Sequence, residues 1–142
     1  MTEPPEIRYE SKPLQQLSFA ERARLRLLTA EDPESHMRAI LRERPPHVQC
    51  FLACHEETIV GWSLARWFAP FDASPRNAHI SVFVDPQWRR HGLGRALLGQ
   101  AVEFATAHRL TPWVYAGASH QLQFFRACEH RANIVSRPFA LR

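Results

Sequence analysis

The stretch with the clearest chemical potential joins a short apolar segment to a long amphipathic one through two arginines and two glycines. It reads VDPQWRRHGLGRALL and covers residues 84–98. Arg89 and Arg90 can donate charge-assisted hydrogen bonds to an anion, and Gly92 and Gly94 leave room for main-chain amides to approach one. A helix that begins near Gly94 would also point its unpaired N–H groups into this loop. These residues predict a phosphate-binding loop.

Two common phosphate motifs do not fit this loop. A dinucleotide-binding fingerprint requires a third glycine at position 97, where Leu97 stands. The ATP-binding P-loop requires a glycine followed by lysine and then serine or threonine, and the sequence contains no such run. A strand-to-helix turn with solvated arginines and no ligand is the alternative interpretation.

The elements that must position this loop follow from hydrophobic periodicity and from turn and capping residues. Ser18 and Glu21 have the spacing of a capping box at the start of a helix. Together the pattern predicts one mixed α/β domain that covers residues 1–142. Strands are predicted at residues 7–12, 47–54, 58–67, 78–84, 112–117 and 132–140, and helices from 18 to about 29, at 33–44, from 94 to about 109 and at 120–128.

Composition and charge limit the class of protein. Of the 142 residues, 45% are hydrophobic and 23% are charged, as in ordinary soluble domains. The net charge is +4, and Lys12 is the only lysine beside seventeen arginines. Because the positive charge is spread along the chain, a dedicated nucleic-acid surface is not expected. No apolar run approaches the roughly 20 residues of a membrane span, and the acidic start is not that of a signal peptide. We therefore expect a cytoplasmic protein without a membrane partner.

The cysteines do not indicate a disulfide or a metal site. Cys50 and Cys54 lie four residues apart on one predicted strand, which separates their Cα atoms by about 13 Å. A disulfide tolerates about 7 Å. The pair also lacks the loop spacing of zinc ligands, so buried, unreactive thiols are predicted and no metal is expected.

The phosphate loop carries a family resemblance. Arg89-x-x-Gly92-x-Gly94 satisfies the pattern Arg/Gln-x-x-Gly-x-Gly/Ala, after a strand that ends VFVDP and before a long amphipathic helix. This arrangement resembles motif A of the GNAT superfamily of acyl-CoA N-acyltransferases, and the order of predicted elements matches that superfamily over most of the chain. The resemblance implies a mixed, mostly antiparallel central sheet, flanked by helices and splayed at the CoA-binding strand.

The resemblance also implies a co-substrate, acetyl-CoA. Its pyrophosphate would lie on the main-chain amides of residues 90–95, and its pantetheine arm would follow the strand edge at residues 82–84. The implied cofactor-binding residues are Val82, Phe83, Val84, Arg89, Arg90, His91, Gly92, Leu93, Gly94, Arg95, Ser119 and Phe125.

Acetyl transfer to an amine requires a base, and His79 is the candidate. It shares a predicted strand face with Ser81, and phosphinothricin-type acetyltransferases with a similar strand carry a glutamate at the position of His79. A histidine with an unperturbed pKa near 6.5 accepts a proton at neutral pH. Ser81 could relay the proton through water. A histidine packed on the sheet with a satisfied hydrogen bond is the alternative.

Other positions depart from the family pattern. Phe125 stands where the family's tyrosine acid is expected, so it is predicted to form a hydrophobic wall beside the thioester. Tyr115 is a second candidate acid. Ser119 lies near the position of a family asparagine, and a helix N-cap would also explain it. These departures leave the predicted CoA loop intact and affect only the chemistry.

The acceptor would approach from residues 28–33 and 67–77 if the resemblance holds. Acidic side chains there could hold an ammonium group and aromatic ones could line a pocket; they are Glu31, Asp32, Asp72, Trp67, Phe68 and Phe71. An ordinary surface or core role is the alternative for each of them. A small amine, an amino acid or a peptide would be the acceptor.

Three functions remain open from the sequence. The first is an acetyl-CoA-dependent N-acetyltransferase with direct attack in a ternary complex. The second is a non-catalytic acyl-CoA-binding module, and the third is an arginine-rich protein that binds nucleic acid or ribosomes. The predicted final strand lies where subunits of the superfamily often pair, so the resemblance also implies a possible homodimer.

Overall fold

The computed structural model describes residues 6–30, 36–68, 77–115 and 135–137. Two short 3-10 turns occur, at Leu14–Gln16 and Pro86–Trp88. The strands are β1 (Arg8–Pro13), β2 (Val48–His55), β3 (Thr58–Trp67), β4 (Asn77–Val84), β5 (Thr111–Tyr115) and β6 (Val135–Arg137), and the helices are α1 (Phe19–Leu28), α2 (His36–Glu43) and α3 (Leu93–Ala107).

The predicted mixed α/β fold is confirmed. The strand predicted at residues 58–67 has the observed bounds of β3, and the other described elements differ from their predicted ends by a few residues. Neither 3-10 turn was predicted. The predicted helix at residues 120–128 lies outside the described residues, and of the predicted last strand only Val135–Arg137 is described.

The six strands form one sheet in the order β1-β2-β3-β4-β5-β6. The first four strands pair antiparallel, while β4 with β5 and β5 with β6 pair parallel. The sheet is therefore mixed and mostly antiparallel, as predicted. Parallel neighbours need a crossover between them, and α3 supplies the one between β4 and β5.

Helices cover both faces of the sheet. Leu25 of α1 and Ile40 of α2 pack on one face, against alternating residues of β2 and β3 such as Leu52 and Leu64. On the opposite face, α3 packs on strand residues whose side chains point the other way, such as Ala65. Successive strand residues point to opposite faces, so the positions of β3 from Gly61 onwards, beyond the register shift at the start of this strand, and those of β4 can be assigned to the α1/α2 face or to the α3 face.

The start of α1 has the predicted capping box. The Glu21 N–H donates to Ser18 Oγ over 3.1 Å, and the Ser18 N–H donates to Glu21 Oε1 over 2.8 Å. The Glu21 carboxylate also binds Lys12 Nζ, with 2.9 Å between Nζ and Oε2. The Glu21 carboxylate thus caps the N-terminus of α1 and also joins this helix to β1.

Cys50 and Cys54 are buried and free, which confirms the prediction for both thiols. Burial raises the pKa of Cys50 to about 12, and burial also raises the pKa of Cys54. A thiol reacts as its thiolate, so neither is reactive in the folded protein. Within the described ranges, no helix combines the length and the apolar character needed to cross a membrane.

Candidate active site

Strand β4 extends beyond the point where its pairing with β5 ends. The last paired residues are Ile80 and Val114, whereas β4 continues to Val84. On its other side β4 stays paired with β3 as far as Gly61, which lies opposite Val84. Among the described residues, positions 81–84 therefore have a neighbouring strand on one side only.

The main-chain groups at this open edge can be assigned a direction. The Asp85 N–H donates to the Val60 carbonyl over 2.9 Å, so it points towards β3. In an antiparallel pair, the N–H and C=O of one residue point to the same side, and the side alternates along the strand. The main-chain groups of Val82 and Val84 therefore point to the open side. An extended ligand could pair with them as an added strand would.

Asp85 turns the chain out of β4. Its Oδ1 accepts a hydrogen bond from the Gln87 N–H over 3.1 Å, and its carbonyl accepts one from the Trp88 N–H over 2.7 Å. Pro86 occupies the first position of the 3-10 turn, where a missing N–H costs little. This turn delivers the chain to the predicted phosphate loop.

Two residues of that loop are in the left-handed region. Arg90 has a φ of 69° and Gly92 has a φ of 79°. Glycine adopts this conformation freely, while an arginine there costs about 1 kcal/mol. Left-handed residues in such loops direct neighbouring N–H groups into one concavity, which suits an anion. The loop therefore has a backbone form that can present N–H groups to an anion.

Arg89 is fixed at the junction between the open edge and the loop. Its Nε donates to the Val84 carbonyl over 3.1 Å, and its guanidinium carbon lies 5.8 Å from the centre of the Phe83 ring. The other guanidinium N–H groups remain available to a ligand. Arg90 and His91 follow it and are exposed.

The helix α3 begins beside this loop with a bare N-terminus. Its N-cap is Gly92, which has no side chain to accept a hydrogen bond, and its first turn contains no acidic residue. The first N–H groups of a helix have no intrahelical partner, so those of Leu93, Gly94 and Arg95 are free to bind an anion. Leu93 is buried and anchors the turn. The exposed cations Arg89, Arg90 and Arg95 flank this N-terminus in the sequence.

His79 and Ser81 lie on the α1/α2 face of β4, as the alternation predicted. His79 is half-buried, and its ring meets the Phe68 ring edge-on, with 5.7 Å between their centres. Ser81 is buried, with 7% of its surface exposed. Phe83 follows on the same face and stacks on the Trp62 ring. The two candidate catalytic residues therefore lie next to the open edge of β4.

Trp67 does not belong to the acceptor side. It packs with Ala78, Ala105 and Leu110 on the α3 face, and its ring stacks on His47 at 5.7 Å. Of the two roles that the sequence left open for Trp67, acceptor contact or ordinary packing, the structure supports packing, because its side chain points to the face opposite His79. Phe68, the next residue, is on the His79 side.

Several predicted residues lie outside the described part of the chain. The backbone of Tyr115 is described, but its side chain is not. The others outside are Ser119, Phe125, Glu31, Asp32, Asp72 and Phe71. Their roles stay predictions from the sequence.

Two arginines near the site were missed by the sequence analysis. Arg66 lies directly opposite His79 in the register of β3 with β4. Arg24 of α1 reaches Asp85 at the start of the loop, with 3.7 Å between Nη2 and Oδ2. The pairing of β3 with β4 could have revealed Arg66, but the long loop between these strands hides their register. No local signal marks Arg24.

A separate open groove of about 1130 Å³ lies between β1 and α3. It is lined by residues such as Tyr9, Gln100 and Glu103, and by none of the predicted site residues. We therefore place the candidate site at the open edge of β4, where polar groups converge, and not in this groove. Within the described ranges, no group of three or more His, Cys, Asp or Glu side chains could hold a metal ion.

Comparison with known proteins gives the same assignment for the fold. The acetyltransferase (GNAT) family model matches residues 14–128. A search of curated proteins finds no significant match. An aminoglycoside acetyltransferase from an uncultured soil metagenomic sample, solved with sisomicin, is 20% identical, with a TM-score of 0.64 over 85% of this chain and 86% of that chain.

Two further solved structures share the fold. A predicted acetyltransferase from Clostridium acetobutylicum, solved with acetyl-CoA, is 15% identical, with a TM-score of 0.64 over 86% of this chain and 88% of that chain. The structure of AAC(6')-Iy with the bisubstrate analogue CoA-S-monomethyl-acetylneamine is 14% identical, with a TM-score of 0.59 over 92% and 91%.

Proposed function

Because the chain belongs to the acetyltransferase (GNAT) family, we propose that it transfers the acetyl group of acetyl-CoA to a primary amine by direct attack in a ternary complex. The observation that carries the proposal is the open edge of β4, which leads directly into the left-handed loop and the bare N-terminus of α3. An extended arm with amide groups can pair with the open strand edge. A pyrophosphate at the end of that arm would then reach the loop and the N-terminus of α3.

The residues present fit acetyl-CoA. Main-chain groups of Val82 and Val84 would hold the pantetheine amides, and the N–H groups of residues 90–95 with the Arg89 guanidinium would hold the pyrophosphate. Bound there, the co-substrate would supply an acyl thioester. An N–H at the open edge, such as that of Val82, would stabilise negative charge that develops on the thioester oxygen.

His79 would act as the general base. An amine attacks only in its neutral form, so its ammonium form must first lose a proton. His79 lies on β4 two residues before Ser81, and its imidazole can accept that proton directly or through a water bound to the Ser81 hydroxyl. The proton on the departing thiolate could come from water, since Phe125 cannot supply one.

The relatives support the class of acceptor in general terms. One relative was solved with sisomicin and another with a bisubstrate analogue that joins CoA to a neamine derivative, and both acceptor parts are amines. A non-catalytic acyl-CoA-binding module is the second candidate, favoured by Phe125 at the tyrosine position of the family. A cytoplasmic location, a single domain over residues 1–142 and a homodimer remain predictions.

Amine-dependent release of free thiol from acetyl-CoA tests the proposal. The acceptor panel contains amino acids, polyamines, aminoglycosides and short peptides, and turnover of any class supports the enzyme. Binding of acetyl-CoA without turnover would support the module instead. In a calorimetric titration, Gly92→Glu should abolish acetyl-CoA binding, because its carboxylate enters the anion site.

The control for that titration is Gly99→Glu, which makes the same change seven positions further along α3. A Cβ at either glycine has no heavy atom within 4 Å, so neither substitution meets a clash. Gly99→Glu should keep wild-type affinity. Equal affinity of Gly92→Glu and the wild type would contradict the assignment of the loop.

A further inference from the structure

Arg66 lies on the strand next to that of the proposed base. It lies opposite His79 in the antiparallel pairing of β3 with β4. Side chains of directly opposite residues share a face, with Cβ atoms about 4.5–5.5 Å apart. Both side chains are half-buried, and the next residue inward on the same face of β3, Leu64, is buried. The guanidinium therefore emerges where the α1/α2 face becomes accessible.

Phe68 connects the two groups. The Arg66 guanidinium carbon lies 4.9 Å from the centre of the Phe68 ring, in a cation–π contact. The same ring meets His79 at 5.7 Å with an interplanar angle of 75°. Phe68 itself is 58% exposed, so part of its ring remains accessible to a ligand while it contacts both groups. One small molecule resting on this ring can touch the guanidinium and the imidazole together.

The hydrogen-bonding capacity of Arg66 is not used by its described surroundings. Among the described residues, no carboxylate lies within 4 Å of its guanidinium and no acceptor takes its N–H groups. By contrast, Arg24 and Arg89 each donate from Nε to a main-chain carbonyl. An arginine held over a ring presents a planar fork of donors that matches a carboxylate.

The positive charge of Arg66 favours some classes of acceptor over others. A plain ammonium substrate brought to His79 would approach a like charge, which opposes binding. A substrate that carries a carboxylate beside its amine reverses the sign of that interaction. Resting on the proposed transferase function, we propose that the acceptor is an amino acid, whose carboxylate binds Arg66 while its amine faces His79 and its hydrocarbon part rests on Phe68.

The test compares acceptors that differ only in the carboxylate. Thiol release from acetyl-CoA is measured with each of several amino acids and with the corresponding amino acid amides, and with a polyamine. We expect kcat/KM for an amino acid to exceed that for its amide by about tenfold or more, because only the carboxylate can form a charge-assisted, two-pronged contact with the guanidinium. The polyamine should be the poorest acceptor.

Variants assign the preference to Arg66. Arg66→Gln should remove most of the ratio between acid and amide, mainly through a higher KM for the acid, and Arg66→Glu should invert it. Arg66→Lys keeps the charge without the fork and should retain an intermediate ratio, which shows that the protein still folds. Arg38→Gln, which removes an exposed arginine of α2, is the matched control and should leave the ratio unchanged.

The outcomes separate the two proposals. Turnover with no preference for the carboxylate, or a preference that persists in Arg66→Gln, overturns the amino acid assignment and leaves the transferase in place. Failure to turn over any amine, with no binding of acetyl-CoA in the calorimetric titration, overturns both. A ratio that falls in Arg66→Gln and in Arg38→Gln alike would assign it to net charge and also overturn the assignment to Arg66.

Discussion

Arg24 of α1 and Asp85 at the end of β4 form an ion pair, with 3.7 Å between Nη2 and Oδ2. The Arg24 Nε also donates to the Ile59 carbonyl over 2.9 Å. Asp85 in turn starts the 3-10 turn that precedes the proposed pyrophosphate loop. Helix α1 is thus joined directly to Asp85, the residue that starts this turn.

Removing this tie should loosen the loop. We expect Arg24→Ala to lower the free energy of unfolding by about 1–2 kcal/mol, because a charge-assisted hydrogen bond and a mostly buried ion pair are lost. The KM for acetyl-CoA should rise more than kcat falls. Urea denaturation and steady-state kinetics measure both quantities. Arg26→Ala, on the exposed side of the same helix, should change stability by less than about 0.5 kcal/mol.

Two glycines near α3 should respond in opposite directions to the same substitution. Gly92 has a φ of 79°, whereas Gly99 lies inside the helix, and a Cβ at either position has nothing within 4 Å. Gly92→Ala should destabilise the protein by about 1 kcal/mol through backbone strain. Gly99→Ala should stabilise it by about 0.5–1 kcal/mol through helix propensity. Denaturation curves that shift in the same direction would contradict the conformation of Gly92.

The proposed base predicts a one-sided pH profile. Protonated His79 cannot accept a proton, so kcat/KM should fall about tenfold per unit of pH below the value at which this imidazole titrates in the free enzyme. His79→Ala should lower kcat/KM by about 100-fold or more and remove that acidic limb. His108→Ala is the control, since His108 is an exposed histidine at the far end of α3. An unchanged limb in His79→Ala would exclude His79 as the base.

Glu21 should make stability depend on acidic pH. Burial alone would raise the pKa of Glu21, but hydrogen bonds from the Ser18 N–H and from Lys12 outweigh it and hold the pKa below its ordinary value of 4.5. The carboxylate therefore contributes its full stabilisation above about pH 4.5, and this is lost as the pH falls through the lowered value. The same contact raises the pKa of Lys12, mainly through its hydrogen bond to Glu21.

Glu21→Gln isolates that contribution, because glutamine can still complete a capping box. We expect a loss of about 1 kcal/mol at pH 7 and a flatter decrease of stability between pH 5 and pH 3 than in the wild type. Glu43→Gln changes an exposed carboxylate of α2 and should leave the profile unchanged. Parallel profiles for Glu21→Gln and the wild type would show that the contact with Lys12 is not stabilising.

Features set by neighbouring residues could be predicted from the sequence. The capping box at Ser18 and Glu21, the bounds of β3 and the loop from Arg89 to Arg95 all depend on spacings of a few residues. The two faces of β4 also followed correctly from its alternation, so His79 and Ser81 were placed together. Each of these depends on local geometry that the chain carries with it.

Features set by register could not be predicted. The sequence left Trp67 open between a role in acceptor binding and ordinary packing, and only the strand's orientation shows that its side chain lies on the α3 face. Arg66 faces His79 only because β3 and β4 pair in one register across a long loop. The contact from Arg24 to Asp85 joins residues 61 positions apart, through packing of a helix on the sheet. No pattern of hydrophobic periodicity specifies such contacts.

Under the proposed function, the end of β4 beyond its described pairing with β5 would give acetyl-CoA a second effect, on the self-association of the protein. Unpaired main-chain groups on a strand are templates on which another chain can add a strand and begin to aggregate. Among the described residues, the groups without a strand partner here are those of Val82 and the N–H of Val84, since the Val84 carbonyl accepts from Arg89 Nε. A bound pantetheine arm would cover them. Protein stripped of CoA should therefore self-associate sooner on storage than protein kept loaded, which makes the co-substrate a protective agent as well as a reactant.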